Sequence, residues 1–169
     1  MYDELTEVDI RKMREEIDYR TRVLRPKLIE DVQTARGFGD LSENFEYKCA
    51  KRDKNRNDSR IRYLERMIRT ARVIPASQQT DGDTVDLFDT VVIVPEPTGE
   101  AQTIRIVTTL RQDALQGLVS KESPVAKAVL GHKAGETVRV DLGGGKGYAL
   151  TIQSVQKGGD DASLDISRY

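Results

Sequence analysis

The sequence predicts an α+β protein, with an N-terminal antiparallel coiled-coil hairpin followed by a small domain built on an antiparallel sheet. Three observations carry this expectation. Apolar residues recur at three- and four-residue steps through most of the stretch before Pro75, the rhythm of a helix seam. The break Gly37-Phe38-Gly39 interrupts that rhythm once, and after Ile74-Pro75 it gives way to two-residue alternation. Composition agrees: of 169 residues 33% are charged, only 5% are aromatic and none is Trp. One or two small units are therefore expected rather than a single large core.

In the first helix the seam positions are Ile10, Met13, Ile17, Leu24, Leu28, Val32 and Ala35. A helix from Val8 to Arg36 would run about 40 Å, too long for the remaining chain to cover, so it needs a partner helix. Ile61, Leu64, Ile68 and Ala71 supply that partner's seam. In an antiparallel register Ile10 lies opposite the Ala71 region, Ile17 opposite Leu64 to Met67, and Leu24 opposite Asn57 to Arg60. The distal half is thinner, because Arg20, Lys54 and Asn57 put polar groups on the seam. Such groups fix register at some cost in stability. Pro26 has no N–H and should kink the first helix near Arg22.

Beyond Pro75, alternating strands are expected at residues 90–94, 103–107, 137–142 and 148–155, with turns at Pro95–Gly99 and Gly143–Gly147. One helix is signalled between them: Ser123 as N-cap, Pro124 at the first helical position and Gly131 as the stop. The tail from about Gly158 is rich in Gly, Asp and Ser and is expected to be mobile. The domains are accordingly placed at 1–75 and 76–169.

Charge is distributed unevenly. Overall, 27 Lys and Arg meet 28 Asp and Glu, a balance that predicts no particular partner. Within residues 45–72, however, ten basic side chains outnumber four acidic ones, while residues 37–46 hold Asp40, Glu43 and Glu46 and no base. An acidic tip thus borders a basic flank. The single cysteine, Cys49, allows no intrachain disulfide and no Cys-cluster zinc site, and the N-terminus is too acidic to open a secretory signal. No apolar run approaches the roughly 18 residues of a membrane span. The chain is expected in the cytoplasm, as a monomer, away from membranes.

Residues 37–47 permit two readings. Structurally, Asp40 is a good N-cap and Glu43, three residues on, completes a capping pair at the positive end of the second helix. Functionally, carboxylates three apart on one helical face lie about 5–6 Å from each other and could share a divalent cation. Two exposed carboxylates alone make a poor Mg²⁺ site, so further ligands would come from a partner. Phe38, Phe45 and Tyr47 make the tip aromatic, and packing under the hinge is favoured over base stacking for Phe45. The basic flank reads either as a solvated helix face or as an electrostatic guide for a nucleic-acid backbone, sequence-independent and salt-dependent.

Arg36–Tyr47, reading RGFGDLSENFEY, closely resembles the tip motif of the bacterial Gre transcript cleavage factors, the GreA type more than the GreB type. The resemblance continues through Leu24–Glu30, Ser59–Glu65, Ala71–Ile74, Ser123–Gly131 and Gly135–Val138, in the family's order. It implies that the C-terminal domain is FKBP-like and docks on RNA polymerase while the coil threads the polymerase's secondary channel. It implies that Asp40 and Glu43 are the catalytic tip acids, which with the polymerase's own carboxylates hold a Mg²⁺ for hydrolysis of backtracked nascent RNA. The factor would rescue arrested complexes without turning over alone, and would bind no cofactor in isolation. The family's basic patch maps onto Arg36 and Lys51, which would touch nucleic acid non-specifically, and its docking region maps onto Ser120, Ser123 and Pro124. Two departures stand out: Phe45 replaces a residue that is commonly small, and Thr108–Asp113 replaces a connector rich in Gly and acids.

Competing readings have less support. A Gre-like channel inhibitor without cleavage activity would not need both tip acids. A channel factor of the zinc-containing DksA type needs more than one cysteine. A prolyl isomerase needs an apolar pocket, and residues 76–169 hold only Phe88, Tyr148 and Tyr169 as aromatics. The run Gly143–Gly147 lacks phosphate-loop spacing and reads as a turn. His132 lacks a recognisable nucleophile, and Cys49 reads as a small residue beside the seam.

Overall fold

Thr6 and Asp9 start the first helix by serving each other's backbone. The Thr6 N–H donates to Asp9 Oδ2 at 3.1 Å and the Asp9 N–H donates to Thr6 Oγ1 at 3.4 Å, the reciprocal pattern of a capping box. The computed structural model describes residues 3–39, 43–76 and 82–168. They fall into two compact units, one taking the N-terminal residues to Asp9 with Arg72–Arg168, the other Ile10–Ala71. The boundary expected at 75/76 therefore misses the N-terminus. A short parallel pair explains why: β1 (Glu4–Leu5) lies beside β2 (Arg72–Val73), with Leu5 fully buried.

The helical unit is an antiparallel hairpin. Its first arm comprises α1 (Glu7–Tyr19), whose opening turn lies in the sheet unit, a π-helical segment (Arg20–Leu24) and α2 (Arg25–Arg36). The second arm is the single helix α3 (Phe45–Thr70). At the place where a kink is expected, near Arg22, the helix has the π segment. Pro26 cannot donate to the Arg22 carbonyl, and the Arg25 N–H reaches back five residues to the Arg20 carbonyl. Met13, Ile61, Leu64 and Met67 are buried near the base and Val32 and Ala35 towards the tip, while Leu24 and Leu28 between them are half-buried.

A polar layer crosses the hairpin at the π segment. Asn57, 4% exposed, donates to the Arg20 carbonyl and accepts from Arg20 Nη1, both at 3.1 Å. One turn nearer the base, Glu16 accepts from Arg20 Nε at 2.7 Å and from Arg60 Nε and Nη2 at 2.9 and 3.1 Å. Asp58 accepts from Arg25 and Lys54, both at 3.0 Å. These contacts pair Glu16 with Arg60 and Arg20 with Asn57, and a register slip would strand every member. Burial alone would raise the Glu16 carboxyl, but the hydrogen bonds from Arg60 and Arg20 outweigh it and hold the group below its ordinary value.

The other unit is a five-stranded sheet in the order β5-β4-β3-β7-β6. Its strands are β3 (Thr90–Pro95), β4 (Gln102–Val107), β5 (Leu118–Ser120), β6 (Thr137–Gly143) and β7 (Lys146–Gln156). Val91, Ile93, Ile106, Val140, Leu150 and Ile152 form its core with Ala126 and Val129 of α4 (Pro124–Val129). The sheet is mixed rather than antiparallel, because β5 runs parallel to β4. Residues 108–117 carry the chain back across the sheet end through two 3₁₀ turns, so β5 enters in the same direction as β4. Gly143, Gly144 and Gly145 all have positive φ and close the β6–β7 hairpin as a turn.

The tail expected to be mobile from about Gly158 is instead packed on this unit. The Gly158 N–H donates to Asp89 at 3.0 Å and the Ser167 N–H to the Leu110 carbonyl at 2.6 Å, while Ile166 is buried. Arg111, 1% exposed, supplies the reason. Its Nε donates to Asp9 Oδ1 at 2.5 Å, Nη2 donates to Thr6 Oγ1 at 3.1 Å, Nη1 donates to the Asp161 carbonyl at 3.2 Å and also lies 2.6 Å from Asp160 Oδ1. Its guanidinium lies 5.2 Å from the Phe88 ring centroid. Burial acts to lower the Arg111 pKa, and the Asp160 and Asp9 carboxylates more than reverse it.

Arg111→Met keeps bulk but leaves the Asp9 and Asp160 carboxylates buried without their cation. It should destabilise the protein by about 3–5 kcal/mol, read as a lower urea midpoint. Glu16, being held below its ordinary value of 4.5, contributes stability that is complete above that pH and is lost as pH falls through the lower folded value. Thermal unfolding followed by circular dichroism should show the hairpin weakening over that acid range, and Glu16→Gln should flatten the dependence.

Candidate functional site at the hairpin tip

The turn between the two arms is organised by a residue that the sequence reading passed over. Asn44 has an extended backbone and is the N-cap of α3. Its Oδ1 accepts from the Tyr47 N–H at 3.0 Å and its Nδ2 donates to the Ala35 carbonyl at 2.6 Å. One amide therefore satisfies an orphan donor of α3 and bonds a carbonyl at the end of α2. The cap assigned to Asp40, with Glu43 as its capping partner, is corrected accordingly. Glu43 precedes the cap and so does not lie on a face of α3. Asp40 lies outside the described residues.

Glu43 is exposed, and among the described residues no hydrogen bond or ion pair engages its carboxylate. It is the donor type that Mg²⁺ takes. Among the described residues no three His, Cys, Asp or Glu side chains gather to hold a metal, so a cation bound by Glu43 would draw on other donors. Among the described residues the acid has no capping partner, and it faces solvent.

Arg36 and Lys51 are brought together, and Tyr47 does it. The Arg36 guanidinium lies 5.7 Å from the centroid of the Tyr47 ring and the Lys51 ammonium 6.0 Å from it. Arg36 ends α2, and Lys51 lies one helical turn after Tyr47 on α3. The ring's negative faces let two like charges approach one small region. Tyr47 is thus a positioning residue for both, and its signal in the sequence was the four-residue step to Lys51. Farther along the same face, Lys48, Lys51, Arg52, Asn55, Arg56 and Ser59 line an open groove of about 490 Å³ without a carboxylate.

Phe45 does not pack under the hinge. It is 76% exposed and Phe38 is 66% exposed, so the packing expected of Phe45 is corrected. As the first residue of α3, Phe45 has no preceding turn of its own helix to lie against.

In the sheet unit, Ser123 caps α4 by accepting from the Ala126 N–H at 3.2 Å, and Pro124 is exposed at the first helical position. Ser120 is buried, its hydroxyl 3.0 Å from Thr109 Oγ1 and accepting from the Glu122 N–H at 3.1 Å. Ser120 therefore shapes this loop from within, leaving Glu122 and Pro124 as its exposed residues. His132 pairs with Glu136 at 2.6 Å on the surface, and Cys49 is half-buried in α3. No helix among the described residues is long and apolar enough to cross a membrane.

Two family descriptions cover most of the chain. Residues 4–73 match "Transcription elongation factor, N-terminal" and residues 78–157 match "Transcription elongation factor, GreA/GreB, C-term". Transcription elongation factor GreA of Geobacillus kaustophilus is 40% identical over 135 residues, 80% of this chain and 85% of that one. The GreA of Bacillus licheniformis is 38% identical over 142 residues, 84% of this chain and 89% of that one. Among solved structures, the Gfh1 protein of Thermus thermophilus is 19% identical, with a TM-score of 0.41 over 93% of this chain and 100% of that one.

Asn44→Ala removes the cap and the bond to Ala35, and should lower hairpin stability by about 1–2 kcal/mol. Asn44→Asp keeps an acceptor for the Tyr47 N–H but has no donor for Ala35, so its melting temperature should fall between the two.

Proposed function

Because the chain belongs to the GreA/GreB family of transcription elongation factors, we propose that it binds bacterial RNA polymerase, inserts its hairpin into the secondary channel and stimulates the polymerase's own cleavage of backtracked RNA. The observation that carries this reading is the separation of duties at the tip. Asn44 caps the helix, and Glu43 is left exposed with no structural partner among the described residues. An exposed carboxylate at the end of a hairpin is accessible as a ligand for a cation held by a partner.

In the complex, Asp40 and Glu43 would complete the coordination of a Mg²⁺ shared with the polymerase. That ion would supply water activation and charge stabilisation at the scissile phosphodiester. Arg36 and Lys51, gathered on Tyr47, would offset the phosphate charge of displaced RNA without reading its sequence. The sheet unit, which we take as FKBP-like, would hold the polymerase through the loop carrying Ser123 and Pro124. On this reading the cleavage is the polymerase's own, so no independent turnover is expected of the factor.

The deciding assay is cleavage of RNA 3′ ends in a stalled, backtracked complex of the cognate polymerase with Mg²⁺. Asp40→Ala and Glu43→Ala should each cost at least the roughly 10–100-fold that follows loss of a supporting group around a metal. Both variants should still compete for polymerase as wild type does. Binding without stimulation by the wild-type protein would make it a channel inhibitor instead.

A further inference from the structure

Two phenyl rings stand exposed at the tip, and neither is buried among the described residues. Phe45 and Phe38 are 76% and 66% exposed, and neither belongs to the hydrophobic clusters of the sheet unit. With Glu43, Asn44 and Glu46 they line one open cleft of about 570 Å³. The basic groove on α3 has the opposite character: four cations, two small polar residues, no ring and no carboxylate. Flat apolar surface and negative charge thus lie on one side of Tyr47 in the chain, with positive charge following on the other. That is the division a single nucleic-acid strand presents, whose bases are flat and apolar on their faces and whose phosphates are anionic.

We propose that Phe45 and Phe38 form a stacking platform for one unpaired base of single-stranded RNA, whose neighbouring phosphates run along Arg36, Lys51 and the Lys48–Arg56 face of α3. This rests on the reading that the tip meets backtracked RNA. Glu46, which is not among the proposed metal ligands, lines the same cleft; its carboxylate repels a phosphate and accepts hydrogen bonds from exocyclic amino groups, which adenine, cytosine and guanine carry and uracil lacks. The platform therefore prefers an amino-bearing base over uracil. An apolar protein surface would value the same rings, but it has no use for the adjoining cationic groove.

The test uses backtracked complexes of the cognate polymerase whose displaced 3′ nucleotide is either adenosine or uridine, or carries a 6-thioguanosine photoprobe. Phe45→Ala and Phe45→Leu should each slow stimulated cleavage about tenfold, the scale of losing one stacked base. Phe45→Trp should restore it, and the loss should be larger with adenosine than with uridine. Leucine working as well as phenylalanine, or Phe45→Ala cleaving at the wild-type rate, overturns the platform. The former result assigns the rings to an apolar protein contact. Photocrosslinking separates this inference from the cleavage reading. The thioguanosine should crosslink to residue 38 or 45 even in the Asp40→Ala/Glu43→Ala protein, which needs no catalysis to bind. A crosslink confined to other residues, with the factor bound, rejects stacking whether or not wild type stimulates cleavage.

Discussion

A fully buried arginine governs how this chain's ends are held. Arg111 sits under no solvent and carries a full charge, so the sheet unit must deliver carboxylates to it. It draws Asp9 from the first turn of α1, Asp160 from the tail and a carbonyl from Asp161. Two distant stretches of sequence, one near each end, are thereby committed to the connector that carries Arg111. The tail's Gly/Asp/Ser composition looks like that of a free segment, yet one of those aspartates is what the arginine needs. Gly158 contributes by having no side chain, since a Cβ there would lie 2.2 Å from the Phe88 carbonyl oxygen.

The hairpin applies the same logic with weaker groups. Between an apolar base and a thinner distal seam, the layer of Glu16, Arg20, Asn57 and Arg60 is satisfied in one register only. The π segment belongs to this layer. By widening a turn ahead of Pro26 it brings the Arg20 carbonyl to Asn57, which answers it with its amide and takes the Arg20 side chain in return. Register here sets what happens at the turn, because Asn44 can reach the Ala35 carbonyl only if the arms meet in phase.

What was legible in the sequence follows from which forces are periodic. The seam of the hairpin and strands β3, β4, β6 and β7 leave a repeating apolar signature, and each lies within a few residues of its expected place. The strand β5 and the pair β1–β2 are three and two residues long, too short to carry a period, so the mixed sheet was read as antiparallel. The tip cap was misread for a chemical reason. Asp40 followed by Glu43 satisfies the usual rule for a helix start, but this start needs a donor for α2 as well as an acceptor for α3, and asparagine offers both while aspartate offers only the second. Periodicity also has no access to Tyr47 as the meeting point of Arg36 and Lys51. Half of that contact crosses the hairpin turn.

Thr108–Asp113 and Phe45 separate by where their side chains go. Thr108–Asp113 contains Arg111, whose guanidinium is turned inward as an ionic anchor between Asp9 and Asp160. Phe45 is spent outside. A phenyl ring at the first position of α3 gains nothing from its own helix and forgoes burial elsewhere. It lies two residues ahead of Tyr47, whose ring is already occupied by Arg36 and Lys51. One ring of the tip thus gathers the cations while Phe38 and Phe45 stay exposed, and that difference is what the stacking proposal rests on.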